Sequence, residues 1–128
     1  MNFISPELDI RILNDSSSNN PCIYFKFKGK FNVESALSGT KELTAFMDAH
    51  PAAQCEFVWD GQEMTGFEIN ARKSWYEAMS KYKSRIVKVY VISPNIMIRS
   101  AAKVMLTVFG IDSVINKSEE QLPEAIRI

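Results

Sequence analysis

The stretch from Arg85 to Ile115 constrains the fold more than any other part of the chain. It begins with RIVKVYVI, a run of β-branched and aromatic residues broken by one Lys, which suits a strand buried on both faces and is too short to span a membrane. Ser93-Pro94 follows. A serine hydroxyl accepts an orphan backbone N–H at a helix start and proline has no N–H to waste, so the pair predicts a helix with Ser93 at its N-cap. That helix runs from about Asn95 to Phe109 and ends at Gly110, which can take the left-handed conformation that closes a helix. Ile111 to Ile115 reads as the next strand. A strand, a helix and a strand on such short links form a right-handed crossover between parallel strands, so the chain is α/β.

Composition narrows the class further. A chain of 128 residues with 46% hydrophobic content can bury one core as a single domain, residues 1–128, without disulfides or metal. Fifteen basic residues balance fifteen acidic ones, which argues against a nucleic-acid binder, since those carry a positive excess to displace counterions. Residues 68 to 103 nevertheless hold eight basic groups against two acidic. This is either a solvated Lys-rich helix face or a patch for an acidic partner or anionic headgroups. Cys22 and Cys55 stand alone among apolar neighbours with no CxxC, which reads as two small buried hydrophobes in a reducing, cytoplasmic setting rather than a disulfide or metal site. No signal peptide is expected at MNFISPELDI, and no window approaches the ~20 apolar residues of a membrane helix.

Along the chain, Glu7 to Leu13 and Cys22 to Lys30 alternate apolar and polar residues around the turn-forming cluster NDSSSNNP. They predict an antiparallel pair at the sheet edge, with lysines discouraging edge-to-edge association. Asn32 is a plausible N-cap for a helix to about His50, with Ala36, Leu43 and Met47 in its apolar stripe and Pro51 ending it. The lone histidine, His50, fits a helix terminus better than a base or ligand. Cys55 to Trp59 reads as the third strand, closed by Asp60, and Gly61 to Gly66 as a loop. A helix from about Phe67 to Tyr82 follows, with Trp75 and Met79 inward. Ser118 and Gln121 have the form of a capping box, but Pro123 leaves room only for a short terminal turn packing Leu122, Ala125 and Ile126.

The resulting order, β-β-α-β-α-β-α-β with a short terminal helix, resembles the STAS superfamily of sulphate transporters and anti-sigma factor antagonists, especially its stand-alone SpoIIAA-like bacterial members. FKFKGKFNVESA, FVWDGQEMTGFE and RIVKVYVISPNIMIRSAAKVMLTVFGIDSVINKSEEQLPEAI carry the resemblance. It implies a mixed, mainly parallel five-stranded sheet with four helices, and a regulatory protein that binds a partner without catalysis. Some relatives are switched by phosphorylation of a serine in Asp-Ser-(Ser/Thr)-Gly at the mouth of the helix after the third strand, where free N–H groups and the dipole favour phosphate. At the matching positions this chain has Glu63, Met64, Thr65 and Gly66. The usual acceptor is thus absent, leaving Thr65 as an ordinary N-cap or a shifted phosphoacceptor. The fold is also related to the lipid-transfer CRAL-TRIO domains, which implies an alternative role in holding an apolar or amphiphilic molecule between helices and sheet.

The helix at 95–109 bears on that alternative. Asn95, Arg99, Lys103 and Thr107 make a narrow polar stripe, while Met97, Ile98, Ala101, Ala102, Val104, Met105, Val108 and Phe109 fill most of the circumference. So wide an apolar arc must meet a neighbouring helix, a second copy in a homodimer, a ligand or a bilayer surface. No G-x-S-x-G, P-loop or G-x-G-x-x-G occurs, and neither Ser93 nor the pair Asp60 and Glu63 has a base at a recognisable spacing. The reading is a non-catalytic, cofactor-free interaction domain. Its partner-binding or switch surface is Asp60, Glu63, Met64, Thr65, Gly66 and Phe67. The alternative is an amphiphile-binding protein that uses Arg72, Lys73, Ser93, Arg99, Lys103 and Met105, with the helix as a movable lid.

Overall fold

A computed structural model describes residues 1–14, 20–118 and 120. Strands β1 (Asn2–Ile4), β2 (Leu8–Asn14) and β3 (Cys22–Phe31) pair antiparallel in succession. Helix α1 (Val33–Ala49), strand β4 (Cys55–Phe67), helix α2 (Ile69–Tyr82), strand β5 (Ile86–Ile92), helix α3 (Ile96–Val108) and strand β6 (Asp112–Asn116) complete the order, with a 3-10 turn at Lys83–Arg85. The six strands lie in sequence order, and β3 to β6 are parallel. The α/β architecture expected from the sequence is therefore present, but with six strands and three α-helices among the described residues rather than five and four. The expected terminal turn around Leu122, Ala125 and Ile126 lies outside the described residues.

The extra strand is β1. Three residues are too few to show alternation, but Ser5 makes the tight turn that pairs them with β2: its Oγ donates to the Leu8 carbonyl at 2.7 Å and accepts from the Leu8 N–H at 3.0 Å. The edge is thus β1, and the lysine-bearing β3 is an interior strand.

Because β3, β4, β5 and β6 advance across the sheet in one direction through right-handed crossovers, all three helices fall on the same face. There Leu43 and Met47 of α1, Trp75 and Met79 of α2, and Leu106 of α3 share one core with Phe25, Phe57 and Val89 of the strands. Burying a side chain of this size stabilises the fold by about 1.5–3 kcal/mol. The opposite face carries a smaller cluster of Cys22, Tyr24, Val58, Tyr90 and Ile92.

Of two caps expected from the sequence, one is found and one is displaced. Asn32 caps α1 as the sequence suggests, its Oδ1 accepting from the Ser35 N–H at 2.8 Å. The cap of α3 is Asn95 rather than Ser93: Asn95 Oδ1 accepts from the N–H groups of Met97 and Ile98 at 2.8 and 3.3 Å. Ser93 is still held to the sheet, its N–H donating to the Asn116 carbonyl at 3.0 Å. Its hydroxyl accepts from the N–H of Asn95, the cap itself, at 3.1 Å, and not from a helical N–H. Gly110, at φ +68°, ends α3 as its position predicts.

The third correction concerns Asp60 to Gly66, which is strand rather than loop. Lys28, Gly29, Lys30 and Phe31 of β3 pair with Glu63, Met64, Gly66 and Phe67 of β4, across two bulges that shift the register. Pairing with an adjacent strand outweighs the weak β-propensity of GQEMTG. Helix α2 consequently starts at Ile69, with Glu68 at its N-cap.

Candidate functional site

Strand alternation brings Trp59 of β4 toward the helices, and across the two bulges beyond Asp60 the strand continues to offer Gly61, Met64 and Phe67 to the same side. Opposite them, α1 and α2 pack closely along each other, whereas α2 and α3 stand apart. The gap holds a chamber of about 70 Å³, floored by Phe27, Trp59, Gly61 and Val91 and roofed by Trp75, Ile98, Ala101 and Met105. Beyond it a groove of about 560 Å³ runs between Lys73 and Tyr76 of α2 and Met97, Val104 and Val108 of α3. Phe67, Arg72, Ala101 and Met105 border both spaces, so they adjoin.

Small residues keep the chamber open. Gly61 lies so close to α3 that an added Cβ would sit 3.3 Å from the Ile92 carbonyl oxygen and 3.5 Å from Ile98, and Ala101 offers only a methyl group from the other side. Tyr76, which lines the groove, packs against Phe109 with ring centroids 4.5 Å apart. Where Phe67 and Arg72 line it, the Arg72 guanidinium lies over the Phe67 ring at 5.8 Å. Arg72 and Lys73 are exposed and place positive charge at the mouth.

Two polar atoms in this apolar setting lack partners. Trp59 and Trp75, 5% and 4% exposed, both line the chamber, and neither indole N–H has an acceptor. The Trp75 ring packs edge-to-face with Phe25, Phe27 and Phe31 at 5.5–5.7 Å and with Trp59 at 6.3 Å. Packing therefore fixes the indoles while leaving their donors unused, at a cost of about 1–3 kcal/mol each.

The sequence candidates divide between two sides of the sheet. Met64, Phe67, Arg72, Lys73 and Met105 border the chamber or the groove. Asp60, Glu63 and Thr65 do not: Asp60 is buried on the opposite face, where it accepts from the Tyr24 hydroxyl and, at 3.0 Å, from the Gln62 N–H. Glu63 pairs with Lys26 at 2.7 Å, and this hydrogen bond raises the Lys26 ammonium above its ordinary range. Each carboxylate has its own partner, so they form no acid–base pair. Thr65 is exposed within β4 and caps no helix. The Gly66 backbone takes part in the β3–β4 pairing.

Of the remaining candidates, Ser93 is fully buried and its Oγ accepts from the Asn95 N–H at 3.1 Å. Arg99 is tied back to the Ser93 carbonyl at 2.8 Å. Lys103 is exposed and borders neither space. Trp59, Trp75 and Ala101 were not marked as site residues by the sequence. The one signal for them was small Ala101 and Ala102 on a helix facing aromatic strands.

Reactive groups elsewhere are muted. Burial pushes the Cys22 thiol up to about 12 and the Cys55 thiol up to about 11, so both are protonated at neutral pH and poor nucleophiles. His50 ends α1, stacked on Phe46 with its Nδ1 3.0 Å from the Phe46 carbonyl. Among the described residues no cluster of three His, Cys, Asp or Glu could hold a metal ion, and no helix is long and apolar enough to cross a membrane.

Comparison with known families bears directly on this architecture. The model of the divergent CRAL/TRIO domain matches residues 31–128. The chain belongs to that family. This divergent CRAL/TRIO domain shares its fold with an uncharacterised protein of the DUF3478 family from Shewanella loihica PV-4, described as SpoIIAA-like. The TM-score is 0.64 at 17% identity, covering 92% of this chain and 93% of the other. It is also similar to the anti-sigma factor antagonist SpoIIAA in its unphosphorylated form, with a TM-score of 0.53 at 9% identity over 88% and 92% of the two chains. The STAS/SpoIIAA-like resemblance read from the sequence is thus confirmed at the level of fold. No curated protein sequence matches this CRAL/TRIO domain.

Proposed function

We propose that this protein holds an apolar or amphiphilic small molecule between α2, α3 and the sheet, and does not transform it. One observation carries the reading: an apolar chamber that adjoins a groove of about 560 Å³, a volume within the range of small-ligand sites, roughly 300–1,000 Å³. The chamber is lined by aromatic, aliphatic and thioether side chains with one guanidinium, which contain no base or nucleophile to act on a bound molecule. The family relationship and the resemblance to lipid-transfer domains agree with it.

The test is native mass spectrometry on protein purified from its own host without detergent. An added mass of lipid or fatty-acid size, released on denaturation and lost in Ala101→Phe, is the expected result. A bare chain that also gains no thermal stability from added decanoate would remove the reading. A second reading, docking of a protein partner or a second copy of this chain, is favoured by Met97, Val104 and Val108, which are 74%, 64% and 61% exposed on α3. The fold shared with an anti-sigma factor antagonist supports it. In the same experiment it predicts a heavier protein complex or dimer that Val104→Asp disperses.

A further inference from the structure

We infer that the groove between α2 and α3 takes the α3 helix of a second copy of this chain, the two α3 helices packing antiparallel about a two-fold axis. The inference rests on the second of the two readings above and not on the amphiphile reading. Among the described residues, nine large apolar side chains stand in solvent, and four of them, Tyr76, Met97, Val104 and Val108, line this one groove. Monomeric domains rarely gather exposed apolar surface in this way.

The spacing along α3 says what fits. Met97, Ala101, Val104 and Val108 all line the groove and follow one another at steps of four, three and four. Such a series reads the same in either direction, so a copy of the helix turned end for end presents the same ridge. About an axis between Ala102 and Lys103, Met97 faces the partner's Val108 and Ala101 faces the partner's Val104. Each contact sets a longer side chain against a shorter one, and the small Ala101 lets the two helices approach. A contact of one patch with itself closes as a dimer and does not propagate.

Charge on α2 favours the same arrangement. Strands β4, β5 and β6 are parallel, so the returning helices α2 and α3 run the same way and the partner's α3 runs against both. Tyr76 packs on Phe109, which places that part of α2 beside the C-terminal end of α3. Arg72 and Lys73, one turn earlier and exposed, stand toward the other end, where the partner's α3 finishes. That helix has no basic residue in its last turn, and the pair supplies the positive charge that a helix C-terminus favours. At the Phe109 end Glu77 and Lys83, the latter 6.0 Å from the Phe109 ring, offset each other. A second copy and an amphiphile are thus alternative occupants of one groove.

Sedimentation velocity on the full chain over a range of concentrations tests the pairing, and single added cysteines test its register. The parent is expected to be a reversible dimer in the micromolar range and Val104→Asp a monomer with an unchanged thermal melt, since Val104 is exposed. Lys73→Glu is expected to weaken the dimer severalfold, and added salt to diminish the difference. Cys22 and Cys55 are buried, so under copper-phenanthroline oxidation an added surface thiol reports its own neighbours. Val104→Cys, close to the axis, is expected to give a disulfide-linked dimer. Met97→Cys and Val108→Cys are each expected to cross-link poorly alone and well when mixed.

A Met97→Cys chain that cross-links to itself would mean parallel helices, and a dimer that survives Val104→Asp would mean an interface elsewhere. Either overturns the inference. A parent that is monomeric at every concentration overturns it as well, and binding of that monomer to phosphatidylglycerol vesicles would put a bilayer on the groove instead. The second reading outlives a monomeric result only if native mass spectrometry of host-purified protein still shows a heavier complex that Val104→Asp disperses. The concentration dependence of the parent decides the pairing even where a variant does not fold.

Discussion

The two ends of the helical layer follow opposite rules. Where α1 and α2 cover the sheet, packing leaves no slack: Ala36, Leu43, Met47 and Met79 are fully buried, and a Cβ on Gly39 would run into the Leu8 side chain. Where α3 meets α2, the same kind of crossover leaves a chamber, a groove, and Met97, Val104 and Val108 in solvent. The tightly packed face and the open face thus belong to one layer. Under the proposed reading, the closed side carries the folding free energy while the open side exchanges a ligand without unfolding the domain.

That contrast makes graded claims. Leu43→Ala, on the closed side, is expected to cost about 3 kcal/mol in a urea melt, because a filled core cannot collapse onto the space left behind. Gly39→Val is expected to cost about 2 kcal/mol by overpacking against Leu8. A loss below about 0.5 kcal/mol in both would mean that the closed side is no tighter than the open one. The buried thiols give a pH signature. Their folded pKa values, about 12 for Cys22 and about 11 for Cys55, lie above the unfolded value near 8.5. Between these values the unfolded chain binds fewer protons than the folded one, so stability is complete below about pH 8.5 and falls as pH rises above it. The fall is expected to reach about 1.4 kcal/mol per pH unit for each thiol, and Cys22→Ser paired with Cys55→Ala should flatten it.

On the open side, Ala101→Leu is expected to change stability by less than about 1 kcal/mol, because it grows into existing space, yet to displace a bound amphiphile as read by native mass spectrometry. A large stability loss there would show that the gap is packed in solution. Thr65→Ala should be the mildest change, within about 0.5 kcal/mol, as expected of an exposed strand position.

Much of the fold was legible from the chain. The Arg85–Ile115 unit, the Asn32 cap and the Gly110 terminator were all readable because each depends on residues a few positions apart. The errors share a cause. GQEMTG has loop composition, and it became strand because β3 beside it offered backbone partners. Ser93-Pro94 has cap composition, but Asn116 on a strand over twenty residues away holds Ser93 in the sheet. The candidate site was half legible for the same reason: the wide apolar arc of α3 announced unpartnered surface, and Arg72, Lys73 and Met105 were found at it. Asp60 and Glu63 were grouped with Met64 because they are neighbours in sequence, while pleat and bulge send them to opposite sides.

The sequence by itself determined the helices, the parallel crossovers and hence the one-sided helical layer, since periodicity, caps and handedness are local or nearly local properties. Only the tertiary structure decided that α3 stands off from α2, that Met64 beyond a bulge faces the gap as Trp59 does, and that the buried Trp59 and Trp75 N–H groups have no partner. These depend on how separate elements fill space together, and a cavity is defined by contacts that are not made, which no residue in the chain records.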